Sequence, residues 1–177
     1  MKYLNLPNTL TISRLVAVPF CLYALFKNGG DDSLWRIIAW GGFFTVGLTD
    51  FFDGRIARSR KQITSFGTFL DPVADKVAIG AAMIGLSMQG KLWWWVTILI
   101  LVREVSVTIL RLAVIKDGVI PASKGGKLKA TFQSFGVGFY ILPLPTWLHL
   151  PRDAFMAVAI YLTITTGLDY FKKVLKK

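Results

Sequence analysis

Asp50-Phe51-Phe52-Asp53-Gly54-Arg55-Ile56-Ala57-Arg58 is followed, after eight intervening residues, by Gly67-Thr68-Phe69-Leu70-Asp71-Pro72-Val73-Ala74-Asp75. Both acidic pairs sit against long apolar runs. Leu34 to Thr49 leads into the first pair, and Phe66 to Met88 contains the second. Asp50 and Asp53 are three residues apart, and Asp71 and Asp75 are four apart, the spacings that share one face of a helix. Gly54 and Ala57 continue the first face with almost no side-chain bulk, which lets a planar group or a phosphate approach closely. The connecting segment, Ser59 to Thr64, is short, so the two helices are expected to pack antiparallel with all four carboxylates meeting near one membrane surface.

Working outward, the same apolar pattern recurs along the chain. Of 177 residues, 54% are hydrophobic, and they fall in long runs, not in the alternating patches of a water-soluble core. A membrane-spanning helix needs roughly 20 mostly apolar residues. Six candidates are present: Leu10 to Phe26, Leu34 to Thr49, Phe66 to Met88, Leu92 to Ile115, Thr131 to Leu150 and Ala154 to Leu168. The second reaches full length if its helix continues past the membrane surface through Arg58. Breaks are expected at Lys27 to Asp32, Ser59 to Thr64, Gln89 to Lys91, Asp117 to Gly126 and Pro151 to Asp153. None is long enough for a soluble domain, so the expectation is an all-α integral membrane protein, one six-span unit over residues 1–177.

Lysine and arginine set the orientation. With a cytoplasmic N-terminus, fourteen of the 21 basic residues flank the cytoplasmic side and four (Lys27, Arg36, Lys91 and Arg152) the opposite side. Both termini are therefore expected in the cytoplasm of a multi-pass inner (plasma) membrane protein. Trp93, Trp94 and Trp95 suit the far interface. The net charge of +11 avoids the apolar runs, which argues for anionic headgroups and phosphorylated substrates and against nucleic acid. Cys21 is the single cysteine and His149 the single histidine, so neither a disulfide nor a His/Cys metal site is available. The first run lacks a small-residue cleavage site, and Asn8 and Thr9 read as helix-start residues.

Four converging acids need compensation. A carboxylate at mid-bilayer costs about 2.5–3.5 kcal/mol on insertion scales, less toward the interface, and clustered carboxylates raise one another's pKa. Pairing with Arg55, Arg58, Arg60 and Lys61 accounts for one or two aspartates at a helix end, but not for four at paired helical spacings. A divalent cation resolves both problems, and an all-carboxylate donor set suits Mg²⁺ or Mn²⁺. A transporter is the competing class, since membrane acids also line ion pathways, but repeated halves and matched broken helices are not evident in the sequence.

The stretch fits D-x2-D-G-x2-A-R-x8-G-x3-D-x3-D at Asp50, Asp53, Gly54, Ala57, Arg58, Gly67, Asp71 and Asp75. It thereby resembles the CDP-alcohol phosphatidyltransferase family, and the six-span layout extends the resemblance along the chain. The resemblance implies two divalent metals on the pyrophosphate of a CDP-linked lipid. Asp50, Asp53 and Asp71 would be metal ligands, with Asp75 a further ligand and the general base. It also implies that Gly54, Ala57, Arg58, Thr64 and Gly67 lie against the CDP moiety, and that Asn8 and Thr11, an N-x-x-T element, border the nucleotide pocket. A homodimer is the family expectation.

The acceptor is read from other basic residues. Arg103 and Glu104 lie inside the fourth span, where charge is costly and usually functional. Glu104 and Arg111 are seven apart, two helical turns. Ser123-Lys124-Gly125-Gly126-Lys127-Leu128-Lys129 reads as a Gly-containing loop opening the fifth span. Arg103, Arg111, Lys124 and Lys127 can together clasp a phosphate on the acceptor, helped by backbone amides near Gly125 and Gly126. This pattern resembles the branch of the family that joins glycerol 3-phosphate to CDP-diacylglycerol and releases CMP. Inositol phosphate and phosphatidylglycerol are the alternative acceptors.

Overall fold

The computed structural model describes residues 6–59, 65–113 and 124–175, with side chains at 12–48, 76–110 and 125–172. The described residues form six α-helices and no strand: α1 (Leu6–Phe26), α2 (Ser33–Ser59), α3 (Ser65–Met88), α4 (Trp94–Ala113), α5 (Lys124–Ile141) and α6 (His149–Leu175). They divide into two compact units. The first contains α1, α2 and α3 with Ile141–Pro143, and the second contains α4, most of α5 and α6.

In the first unit α1 packs against both α2 and α3. Val18, Val46 and Ala78 form its buried centre, with Ala17, Leu22 and Ala81 packed around them. Small residues set the approach: a Cβ on Gly42 would lie 2.7 Å from the Cys21 Sγ, and one on Gly85 would lie 3.0 Å from Leu25. Such contacts let helix backbones come close where apolar surroundings give no hydrophobic drive to associate.

One end of this unit is closed by polar groups that satisfy helix termini. Gly90 adopts φ +68° and ends α3. Its amide donates to the Ser87 carbonyl and that of Lys91 to the Leu86 carbonyl, the paired bonds of a Schellman motif. Asp32 caps α2, its Oδ1 accepting from the amides of Leu34 (2.9 Å) and Trp35 (3.2 Å). Asn28 turns the chain at φ 53° and donates to the other Asp32 oxygen at 2.8 Å. Gln89 Nε2 donates to the Leu25 carbonyl at 2.8 Å, and Lys91 donates to the Gly30 carbonyl while pairing with Asp31 at 2.9 Å. Arg36 reaches the carbonyls of Ile141 (2.8 Å) and Leu142 (3.0 Å), which α5 leaves unpaired at its end.

In the second unit α4 packs on α6. Phe155 of α6 sits between Phe132 and Phe139 of α5, each ring 5.2 Å away. Gly136 admits the Met156 side chain, whose methyl would be 3.3 Å from a Cβ there. Tyr140 Oη donates to Asp153 at 2.8 Å, Arg152 pairs with the same carboxylate, and the guanidinium lies 4.2 Å above the tyrosine ring.

Among the described residues one segment, Thr146–Lys172, is long and apolar enough to cross a membrane, and Ser33–Leu48 and Lys76–Met88 are shorter apolar stretches. Large apolar side chains face outward on every helix, as with Phe20, Ile38, Ile84, Val102, Phe135 and Tyr161.

Several expected boundaries move. The second helix does run past the apolar run, through Arg58 to Ser59, as its length required. α1 starts at Leu6 with Pro7 in its first turn, where a missing amide costs nothing, so Asn8 and Thr9 lie inside the helix instead of ahead of it. The glycine-containing segment at Lys124 is already helical, so α5 begins seven residues before Thr131. α5 then stops at Ile141, because Pro143 and Pro145 each remove an amide donor. The break expected at Pro151 to Asp153 falls inside α6. Pro151 stands in the first turn of that helix, where amides have no helical partner to lose.

Candidate active site

The two acidic pairs lie on continuous helix. α2 is helical through Asp50 and Asp53, α3 is helical through Asp71 and Asp75, and the two helices pack against each other within the first unit. Spacings of three and four are therefore helical spacings in the folded chain. The side chains of Asp50, Asp53, Gly54, Ala57, Arg58, Gly67, Asp71 and Asp75 lie outside the described residues, as do those of Asn8 and Thr11, and Thr64 lies outside them entirely. Among the described residues no group of three or more His, Cys, Asp or Glu gathers. The donor set offered by the two helices is carboxylate only, which fits a hard divalent ion and does not fit zinc or copper.

The second unit holds the charged residues of α4 and α5, several of them expected at an acceptor phosphate. Arg103 and Glu104 stand in the interior of α4, and Lys129 stands one and a half turns into α5. Glu104 Oε1 accepts from Arg103 Nη1 at 3.0 Å and also bonds the Lys129 ammonium, so one oxygen serves two cations. Arg103 Nη2 donates to Thr166 Oγ1 of α6 at 2.8 Å, and that hydroxyl donates to the Leu162 carbonyl at 2.6 Å. A Cβ on Gly167 would meet the Arg103 stem at 3.3 Å, so the glycine leaves the arginine room to lie along α6. Arg103 Nε is buried without a hydrogen-bond partner. All three charged side chains are largely enclosed, with 16% of Arg103, 15% of Glu104 and 6% of Lys129 exposed. Charges so far from water persist only when paired.

The expected acceptor residues thus separate. Arg103 is bonded on two sides, whereas Lys127 is exposed in the first turns of α5. Lys124 is the first residue of α5 and Arg111 lies near the end of α4, but their side chains fall outside the described residues. Lys124 to Lys127, with Gly125 and Gly126, supply the helix N-terminus, whose first amides have no carbonyl within the helix. Arg103 also borders an apolar groove of about 570 Å³ along α4 and α6, lined by Trp95, Ile98, Leu99, Val102, Ser106 and Phe171.

Two members of this cluster, Lys129 and Thr166, fall outside the expected acceptor set. In the sequence Lys129 counts among the cytoplasmic-side lysines, yet it is buried against Glu104. The signal for Lys129 was Glu104 itself. An acid inside an apolar helix requires a cation, and Arg103, its immediate neighbour, cannot enclose it alone. Thr166 carried no signal, since a threonine in an apolar helix ordinarily bonds its own backbone.

With all-helical architecture, large apolar side chains exposed on each helix, paired aspartates in one unit and a basic cluster in the other, the chain has the make-up of a lipid phosphotransferase. Residues 4–165 match the model of the family described as CDP-alcohol phosphatidyltransferase, and the chain belongs to that family. Its relatives are similar along their length. A protein of Mycobacterium tuberculosis named "Probable phosphatidylglycerophosphate synthase" is 55% identical over 172 residues, covering 97% of this chain and 82% of that protein. Two proteins named "CDP-diacylglycerol--glycerol-3-phosphate 3-phosphatidyltransferase" follow the same pattern. That of Rickettsia felis is 38% identical, covering 95% of this chain and 94% of its own, and that of Bacillus subtilis is 36% identical, covering 96% and 94%.

Proposed function

We propose that this protein transfers the phosphatidyl group of CDP-diacylglycerol to sn-glycerol 3-phosphate, giving phosphatidylglycerol phosphate and CMP. The observation that carries the reading is similarity over nearly the whole chain to relatives named for that product or that reaction, 55% identical for the Mycobacterium tuberculosis protein and 38% for that of Rickettsia felis. The enclosed basic cluster of α4 and α5 supports a phosphorylated acceptor over a neutral one.

In this reading Asp50, Asp53, Asp71 and Asp75 hold two divalent ions, Mg²⁺ or Mn²⁺. Bound there, the ions neutralise charge on the pyrophosphate and on the departing CMP. Asp75 takes the proton from the acceptor hydroxyl, which is a poor nucleophile until a positioned base removes it. The freed oxygen forms a bond to the lipid-side phosphorus, the bond from that phosphorus to the CMP oxygen breaks, and CMP leaves with the electron pair. No serine or cysteine is needed as a covalent carrier. Gly54, Ala57, Arg58, Thr64 and Gly67, with Asn8 and Thr11, receive the CDP moiety. Arg103, Arg111, Lys124 and Lys127 draw in the acceptor phosphate.

The same reading places one catalytic domain in the inner membrane with six spans, both termini and the active site facing the cytoplasm, and a homodimer as the working unit. The outward apolar side chains on all six helices support several spans, and the distribution of lysine and arginine supports the orientation.

The test is an acceptor panel. Purified protein in lipid nanodiscs receives CDP-diacylglycerol, Mg²⁺ or Mn²⁺, and one of glycerol 3-phosphate, inositol phosphate, inositol, serine or phosphatidylglycerol. Metal-dependent CMP release with phosphatidylglycerol phosphate as the lipid product is expected for glycerol 3-phosphate alone. Product from another acceptor, and none from glycerol 3-phosphate, overturns the assignment. Ion flux in liposomes without CMP release would return the protein to the transporter class.

A further inference from the structure

We infer that Glu104 is a positioning residue for the acceptor, holding the basic side of the site in register through Arg103 and Lys129; the inference rests on the acceptor reading above. The geometry that carries it is one carboxylate oxygen bonded to cations of two helices, Arg103 of α4 and Lys129 of α5. Lys129 is two residues beyond Lys127, about 200° around a helix. The exposures follow that angle: Lys129 is buried, while Lys127 is exposed. Burying Lys129 against Glu104 therefore fixes which way the first turns of α5 face. Those turns carry Lys124 and Lys127. Glu104 likewise lies two helical turns from Arg111 on α4, so the link ties the basic residues of α4 to those of α5 at one point.

The cluster is built for placement more than for stability. A buried ion group gains little net free energy over an apolar replacement, because desolvation offsets the attraction. Its directional bonds nevertheless define one geometry. Arg103 cannot swing away, since Thr166 holds its other terminal nitrogen and the Leu162 carbonyl holds Thr166. Gly167 keeps the space for the arginine stem. Among the described residues the cluster pairs one acid with two cations.

Glu104→Gln keeps the size and the hydrogen-bonding shape of the side chain and removes its charge. The expected result is a rise of about tenfold or more in the glycerol 3-phosphate KM, the size of a lost charge-assisted hydrogen bond, while the CDP-diacylglycerol KM stays near wild type. Glu104→Asp should recover part of that rise. Lys129 should be protected from an amine-reactive reagent in the wild-type protein, read by mass spectrometry, and become reactive in Glu104→Gln. Equal rises in both KM values, or an unchanged acceptor KM, overturn the inference. If Glu104→Gln does not fold, Lys129→Met and Lys129→Arg decide. A raised acceptor KM in Met but not in Arg supports the inference, and an unchanged KM in Met refutes it. Failure of the functional reading looks different: the wild-type protein then makes no product from a phosphorylated acceptor, while Lys129 labelling still reports whether the link to Glu104 exists.

Discussion

The first unit carries four aspartates on two adjacent helices, and the second carries one glutamate between an arginine and a lysine. Both place acids in largely apolar helices, where an unpaired charge is costly. The second unit meets that cost with cations of its own chain, giving a closed and permanent arrangement. In the first unit, on the proposed reading, divalent ions imported from solution meet it. A permanent arrangement suits a part that must hold shape, and an exchangeable one suits a part that must take up a pyrophosphate and release CMP.

The comparison breaks first at the aspartates. Asp50→Ala, Asp53→Ala and Asp71→Ala should each abolish CMP release, and Asp75→Asn should lower it by about a hundredfold to ten-thousandfold, the usual range for a general base. Near-wild-type turnover in all four would remove the catalytic assignment. The same variants test where metal acts. Mg²⁺ or Mn²⁺ at about 100 times its dissociation constant should stabilise the wild-type fold by about 2.7 kcal/mol, visible as a raised Tm. Asp50→Ala should lose most of that increase and Glu104→Gln should keep it. An increase lost equally in both would mean that the two units do not differ as argued.

A smaller effect is expected at Arg111. Arg111→Ala should raise the acceptor KM about tenfold, as for a lost charge-assisted contact, with the lipid KM nearly unchanged. Equal changes would place Arg111 outside the acceptor site. Smaller again is Gly167→Val, which pushes on the Arg103 stem; it should raise the acceptor KM a fewfold in the same kinetic assay and leave the metal-dependent rise in Tm intact. An unaffected acceptor KM would show that Arg103 tolerates displacement.

The smallest effect lies at the Asp31–Lys91 pair, which uses the same groups as Glu104 and Lys129 but has its carboxylate in water. Asp31 is 84% exposed, so screening leaves its pair little energy. The hydrogen bond from Lys91, and then its charge, hold the Asp31 carboxyl below its ordinary value of 3.8. Its contribution is therefore complete above that ordinary value and is lost as the pH falls through the lowered one. Asp31→Asn should lower Tm slightly at pH 7, and the difference from wild type should close as the pH drops below 3.8. A difference that persists in acid would point to something other than the ion pair.

Much of this protein was legible before any coordinates, because the information was local. An apolar run, a helical spacing of acids and the absence of donors at proline are properties of neighbouring residues. They were enough for six helices, for the length of α2 past its apolar run and for the family. Local rules also misplaced the junction of the last two helices, since Pro151 looks like a break but is harmless in a first turn, whereas Pro143 and Pro145 end α5. Tertiary structure alone decided which charges meet. Lys129 lies 25 residues from Glu104, and Thr166 lies 63 residues from Arg103. No periodicity links such pairs, because each forms only when separate helices pack and exclude the water that would otherwise solvate it.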